Sequence, residues 1–257
     1  MPDQIRTERK GAVTIITLDR PDKRNAMGRE LRTALVSALA ETEADSACRA
    51  VVVTGAGGHF SAGGDLGDMP STEALATHAR MLAAQELLLR IVGSAKPFVA
   101  AVEGVAYGAG LSLALACDHI VATPASRLCA PFVRVGLAPD VGLLWTLPQR
   151  VGVGRAQDML LGAEPVDGAE ALRIGLVDRL AAPGEALDEA VRRAEVFAKG
   201  APAALAAVKS ALRQTGTSLA GILEFEAMTQ TMLLGTADHA EGKAAFFERR
   251  PAAFRNA

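Results

Sequence analysis

Residues 96–118 read KPFVAAVEGVAYGAGLSLALACD. The stretch holds an apolar run, a turn punctuated by three glycines, and a segment that is apolar on every side. PFVAAVEG (97–104) is too short and too β-branched for a helix and predicts a buried strand. GAGLSLALAC (108–117) predicts a buried helix, and DHIVATP (118–124) a short strand after it. A strand, a tight turn, a buried helix and another strand in succession are the makings of a layered α/β fold.

The same alternation extends toward the N-terminus. AVTIITLDR (12–20) predicts a strand that stops at Pro21, and residues 28–45 predict a helix with Leu31, Leu35, Val36 and Leu39 on one side. RAVVVTG (49–55) is a further strand, running into GAGGHFSAGG, and residues 71–92 predict a helix carrying Leu75, Leu82, Leu87, Leu88 and Ile91. Strands this uniformly apolar are expected to be buried on both faces. After about residue 145 the pattern turns helical over 153–162, 167–174, 185–200, 202–214, 218–235 and 238–249, with LVDRL (176–180) extended. Pro202, following Gly200-Ala201, suits the first turn of a helix. The expected organisation is an α/β core over 1–200 and a helical region over 201–257.

Bulk properties narrow the function. The 257 residues are 50% hydrophobic and 22% charged with a net charge of −2, so nothing points to nucleic acid or an anionic membrane. No apolar run reaches the ~20 residues of a membrane span. Cys48, Cys117 and Cys129 lack metal-ligand spacing, and no metal is expected. An odd cysteine count without a signal peptide fits reduced thiols in a cytoplasm.

Two glycine-rich turns are the candidates for chemistry. HFSAGGDL (59–66) follows a strand, and GVAYGAG (104–110) opens a helix. Neither is a phosphate loop, because GxxxxGK[ST] and GxGxxG are both absent from these positions. Glycines admit close backbone approach, and a helix start aims unpaired N–H groups at one point. Two such turns converging would make an oxyanion hole. Taken alone, the glycines are better accounted for by tight turns that hold no ligand.

Six stretches taken in order resemble the enoyl-CoA hydratase/isomerase (crotonase) superfamily across nearly the whole chain. They are LDRPDKRNAM (18–27), VVVTGAGGHFSAGGDL (51–66), KPFVAAVEGVAYGAGLSLALACD (96–118), VGLAPDVG (135–142), VDGAEALRIGLVDRL (166–180) and TADHAEGKAAFFERRPAAF (236–254). The resemblance implies a crotonase-like spiral of ββα units with a helical C-terminal trimerisation region, assembled as a homotrimer or a dimer of trimers. It implies an acyl-CoA thioester substrate in fatty acid β-oxidation chemistry, with no cofactor beyond the coenzyme A that the substrate carries. By motif matching, the backbone N–H groups of Gly64 and Ala109 form the oxyanion hole. Ala62, Asp65 and Leu66 line the adenine pocket, and Lys23 and Arg24 stand near the CoA phosphates. Lys243 and Phe247 resemble C-terminal residues that touch CoA, sometimes from a neighbouring subunit. Solvated loop charge accounts for Lys23 and Arg24 equally well, and helix packing accounts for Phe247 at least as well.

Hydratases of this superfamily use two glutamates, one in a GGGCE-like string and one in a PExxLG-like string. Here the matching positions are Ser112 and Phe132. Serine is no carboxylate base, and phenylalanine has no proton to exchange. Asp140 remains, in a GLAPDVG string that resembles the GLxPDxG of isomerases, whose aspartate shuttles a proton from C2 to C4. Phe132 and Leu137 nearby would raise its pKa. Alternatively, Asp140 caps the helix suggested by WTLPQRVG. The expectation is therefore an acyl-CoA isomerase moving a double bond from 3-enoyl to 2-enoyl-CoA, or a related ring or epoxide acyl-CoA isomerase. Its rivals are a hydratase with a non-standard base and a non-catalytic acyl-CoA-binding homologue. Asp140 also matches the nucleophile of a 4-chlorobenzoyl-CoA dehalogenase, but the tryptophan that should accompany it is replaced by Phe132, and the only tryptophan is Trp145. Asp68 and Glu73 are further candidates for the acyl end. His59 and His78 read as surface residues, Glu103 as structural, and Tyr107 as either substrate contact or packing.

Overall fold

The computed structural model describes residues 4–68, 73–214 and 216–255. Its strands are β1 (Ile5–Lys10), β2 (Val13–Leu18), β3 (Ala50–Gly55), β4 (Phe98–Val102), β5 (Val105–Tyr107), β6 (His119–Ala122), β7 (Arg127–Cys129), β8 (Val166–Asp167) and β9 (Arg179–Leu180). Its helices are α1 (Arg29–Ala44), α2 (Ala74–Gly93), α3 (Ala109–Ala116), α4 (Leu143–Val151), α5 (Val153–Gly162), α6 (Gly168–Arg173), α7 (Ala186–Ala198), α8 (Pro202–Arg213), α9 (Leu219–Leu234) and α10 (Ala237–Glu248). The start of the helix expected over 71–92 falls at residues 71–72, outside the described residues.

A six-stranded sheet runs in the order β1-β2-β3-β4-β6-β9, parallel except for the β1–β2 hairpin. A smaller sheet runs β5-β7-β8. Alternate residues of the large sheet divide between two cores, as the period of two requires. Ile16, Leu18, Val51, Val53, Phe98 and Ala100 face the core shared with α1, α2 and α3. Val13, Ile15, Val52, Val99, Ala101 and Val121 face Ala186, Ala190, Val191 and Ala194 of α7. The sheet is thus buried on both faces, which is why its strands carry so few polar residues. α7, inside the expected 1–200 core, supplies the cover on one of those faces.

The connections explain why several quoted motifs have the composition they do. Asn25 is fully buried with φ 58°, a left-handed conformation that asparagine tolerates. Its side chain accepts from the Arg20 N–H at 2.9 Å and donates to the carbonyls of Ala56 (2.9 Å) and His59 (2.7 Å). The 18–27 loop is therefore stapled to the 56–61 loop. Asp167 caps α6 by accepting from Glu170 N–H at 2.9 Å, and Thr236 caps α10 by accepting from His239 N–H at 3.1 Å. Lys209 of α8 is buried and donates to Asp118 Oδ2 (2.6 Å) and the Lys96 carbonyl (2.7 Å), tying the helical region to the end of the sheet.

Candidate active site

The two glycine-rich turns meet. Segment 61–64 lies between the 24–27 loop and β5: Ala62 N–H donates to Arg24 O, Met27 N–H to Gly63 O, Ser61 N–H to Val105 O and Tyr107 N–H to Ser61 O. Gly63 has φ +98°, and a Cβ there would sit 2.6 Å from the Tyr107 carbonyl and 3.5 Å from the Ala109 nitrogen. Gly108 has φ +51°, and its Cβ position is 4.0 Å from the Gly63 Cα. Glycine is required on both sides because the backbones nearly touch at a conformation that side chains resist. Ala109 is the first residue of α3, so its N–H has no acceptor within the helix. The ladder that joins Met27 to Gly64 uses the N–H of Met27 and of Asp65, leaving the Gly64 N–H out. Among the described residues, neither Gly64 nor Ala109 donates its N–H to any acceptor.

Both line a cavity of about 150 Å³ together with Ala62, Leu66, Phe132, Leu137, Asp140 and Val141. Asp140 is half-buried, and its Oδ1 is buried with no hydrogen-bond partner. Burial raises the Asp140 pKa above the ordinary carboxylate value, against the opposing pull of the Arg80 and Arg32 charges. The apolar surroundings expected to do this, Phe132 and Leu137, are in place. The helix-cap alternative is excluded: α4 begins after Gly142, and no side chain caps it. Val141, beside Asp140, has φ 47°, a genuine outlier for a β-branched residue and a sign of backbone held by its surroundings.

Ser112, at the position of a hydratase glutamate, is fully buried in α3. Its hydroxyl lies 3.1 Å from the Asp140 backbone carbonyl and 3.3 Å from that of Gly108, and can donate to either. Phe132, at the other glutamate position, is 7% exposed and forms part of the cavity wall. Among the described residues the cavity therefore has one acid, Asp140, two unpaired backbone donors, and a wall that is otherwise apolar except for two arginines, Arg32 and Arg80.

Not every expected residue is brought to this cavity. Asp65 is used in an ion pair with Arg20 (2.8 Å) and Lys23 (3.3 Å), and these contacts hold its carboxyl below the usual range despite desolvation. Lys23 and Arg24 are exposed nearby. Lys243 lines a separate groove with Thr236, His239 and Phe254, and Phe247 is an exposed residue of α10 packed edge-on against Phe246. Within one chain neither lines the cavity, and the C-terminal helix is clasped to its own tail, with Glu241 accepting from Arg250 and from Ala253 N–H. Asp68 accepts from Arg29 N–H at the start of α1 and does not line the cavity, and Glu73 precedes α2, exposed. Trp145 lies away from the cavity, so the dehalogenase arrangement is not assembled. Glu103 is structural, as expected, accepting from the N–H groups of Gly184 (3.0 Å) and Ala186 (3.2 Å). His59 is a correction: it is half-buried, and its Nδ1 accepts from Val105 N–H at 3.4 Å. Arg32, Arg80 and Val141 were not singled out by sequence; for the two arginines the available signal was a charge beside the apolar positions of a helix pattern, and Val141 carried none.

The family model for enoyl-CoA hydratase/isomerase matches residues 8–257. A protein of Rhodobacter capsulatus named a probable enoyl-CoA hydratase is 40% identical over 253 residues, 97% of each chain. One of the same name from Rhizobium meliloti is 36% identical over 97% of this chain and 96% of its own. The crystal structure of an enoyl-CoA hydratase from Polaromonas sp. JS666 superposes with a TM-score of 0.92 at 35% identity, covering 97% of this chain and 99% of that one. The chain belongs to the enoyl-CoA hydratase/isomerase family, has its crotonase fold, and is an enzyme of that family. The names of these relatives fit the hydratase alternative better than the isomerase expectation. Among the described residues no helix is long and apolar enough to cross a membrane.

Proposed function

We propose that this enzyme hydrates a 2-enoyl-CoA through an enolate held at Gly64 and Ala109, with Asp140 as the only proton-transfer group. The observation that carries the reading is the buried, unpartnered Oδ1 of Asp140 in the same cavity as the two free N–H groups. Asp140 takes a proton from water as the water oxygen bonds to C3. The C2–C3 π pair becomes the C1–C2 double bond of the enolate, and the carbonyl π pair moves onto the thioester oxygen. The enolate then recovers its carbonyl as C2 takes the proton back from Asp140. Water is added, nothing is oxidised, and the carboxylate is regenerated. Preorganised donors at the thioester oxygen are worth roughly 2.7–4 kcal/mol each in a dry site. A pKa raised by burial moves the acid toward the range in which it can both accept and return a proton.

A second reading is isomerisation of a 3-enoyl-CoA, in which Asp140 carries a proton from C2 to C4. It is favoured by the single carboxylate, with Ser112 and Phe132 at the two glutamate positions. Both readings share the enolate, and one paired assay separates them. Purified protein is given a 2-enoyl-CoA and followed for loss of conjugation, and separately a 3-enoyl-CoA followed for its gain, each repeated with Asp140→Asn. Hydration that vanishes in the variant supports the main reading. Conjugation gained without hydration supports the second. Full activity in the variant would refute both.

For binding, Ala62 and Leu66, which line the cavity, would serve the adenine end of CoA, with Asp65 holding the loop and the exposed Lys23 and Arg24 available to phosphate. Lys243 and Phe247 would serve the site of a neighbouring copy. Self-association, as a trimer or a pair of trimers, is supported by the apolar side chains exposed on α9 and α10, among them Leu219, Leu223, Met232 and Phe246. Sedimentation equilibrium reads it directly. Three buried free cysteines suit a reducing cytoplasm.

A further inference from the structure

The cavity that holds Asp140 also holds two guanidinium groups, Arg32 from α1 and Arg80 from α2. Among the described residues, all others lining it are apolar or glycine, so within the cavity two positive charges face one negative, while Asp68, outside it, also acts on Arg32. Arg80 Nε is buried with no hydrogen-bond partner. Arg32 Nη1 donates to the Met27 carbonyl at 2.9 Å, and burial together with the charge of Arg80 lowers the Arg32 pKa. Asp140 does not discharge the pair: its Oδ1 is unpartnered, and both arginines act on it only through space. A direct ion pair would in any case cost Asp140 the basicity its reaction needs.

Half-buried cations with no carboxylate in contact carry a desolvation cost, and an anion that joins them offsets part of it. Guanidinium is the group best shaped to receive a carboxylate. Resting on the reading that the thioester oxygen lies at Gly64 and Ala109, we infer that Arg32 and Arg80 receive a second carboxylate at the far end of the acyl group. The substrate class is then a short dicarboxylic acyl-CoA, a chain with a thioester at one end and a free carboxylate at the other. A cavity of about 150 Å³ fits a short chain; engineered cavities of about that size hold one benzene.

The test uses saturated thioesters, which bind without reacting and so do not depend on which reaction is catalysed. Succinyl-CoA is compared with butanoyl-CoA, and adipoyl-CoA with hexanoyl-CoA, by calorimetric titration of the intact protein at fixed ionic strength, with free CoA as a further arm. At one or both lengths the carboxylate form is expected to bind about tenfold to a hundredfold more tightly. That ratio should collapse in Arg80→Gln and, separately, in Arg32→Gln, so a folding failure of one variant leaves the other decisive. Equal affinity at both lengths overturns the inference, and turnover of a neutral 2-enoyl-CoA in the same preparation would show the proposed function still standing. Equal losses for free CoA in the variants overturn it too, since the arginines would then be reading CoA phosphate. Failure of every acyl-CoA to bind overturns this inference and the proposed function together.

Discussion

Gly110→Ala tests how tightly the oxyanion turn is built. A Cβ at residue 110 would lie 2.6 Å from the Ser61 carbonyl oxygen and 2.8 Å from the Ser61 Cβ. Ordinary contact begins near 3.4 Å, so α3 and the 61–64 segment must part by about 0.8 Å. Ser61 cannot yield cheaply. It is fully buried, its carbonyl accepts from Tyr107 N–H at 3.0 Å, and its hydroxyl donates to Asn25 O at 2.8 Å. Ala109 is the preceding residue, so its N–H moves with the helix. A misplacement of about 1 Å at a catalytic group costs on the order of 100-fold in rate, and that is the loss expected in kcat/KM. Overpacking costs about 1–3 kcal/mol, and alanine returns up to about 1 kcal/mol of helix propensity, so a net loss of up to roughly 2 kcal/mol remains. Each kcal/mol should lower Tm by about 2–4 °C in a chain of this size. The control is Gly93→Ala at the end of α2, where a Cβ meets nothing within 4 Å; it should leave activity alone. Enoyl-CoA turnover and thermal melting are measured side by side. A lowered Tm with undiminished turnover by the folded fraction would refute the claim that the contact between residue 110 and Ser61 sets the donor geometry.

Ala109→Pro deletes one donor at a first-turn position, and kcat should fall about 100- to 1000-fold in steady-state assay, with CD spectra reporting a retained fold. Burial raises the Asp140 pKa, so the ionised base is lost as pH falls through that raised value; the acid limb of kcat/KM should lie above the ordinary aspartate pKa of about 3.9. The same shift fixes a stability sign. The folded chain holds this proton more tightly than the unfolded one, so the charge costs stability once pH exceeds the raised pKa. Asp140→Asn should therefore melt higher than the parent at pH 7 while losing activity, and a lower Tm would count against the burial argument. Lys209→Met removes the donor that Asp118 and the Lys96 carbonyl share, and denaturant titration should show a loss of about 1–3 kcal/mol.

What sequence made legible was whatever a single segment determines by itself. The pattern over 153–162 coincides with α5, and those over 28–45 and 202–214 lie within a residue of α1 and α8 at each end. β1 escaped because IRTERK is an exposed edge strand whose charges blunt pairing and erase any apolar alternation. β5, β7 and β8 escaped because strands of two or three residues exist only through partners remote in sequence. The glycine turns could be recognised as turns, yet their meeting is a tertiary fact. Arg32 and Arg80 are more hidden still: each interrupts its own helix pattern without consequence, and they acquire meaning only where α1 and α2 face one cavity.

Ser112 and Phe132 show why a residue missing from a motif need not be a function missing from the site. Read in the chain, they are two lost glutamates. In the fold, the Ser112 hydroxyl reaches the backbone carbonyl of Asp140, and so links the helix that presents the Ala109 N–H to the loop that carries the acid. Phe132 closes the cavity wall, and burial is the largest cause of the raised Asp140 pKa. Each replacement thus bears on that carboxylate: Ser112 ties its backbone to α3, and Phe132 adds to its apolar surroundings. A second carboxylate in so small a cavity would raise the cost of ionising the first and would compete for the two arginines. If the substrate carries the second carboxylate, the single acid among the described residues, the two guanidinium groups with no carboxylate in contact and the two positions without glutamate fit one charge arrangement, in which the protein supplies one anion and the substrate the other.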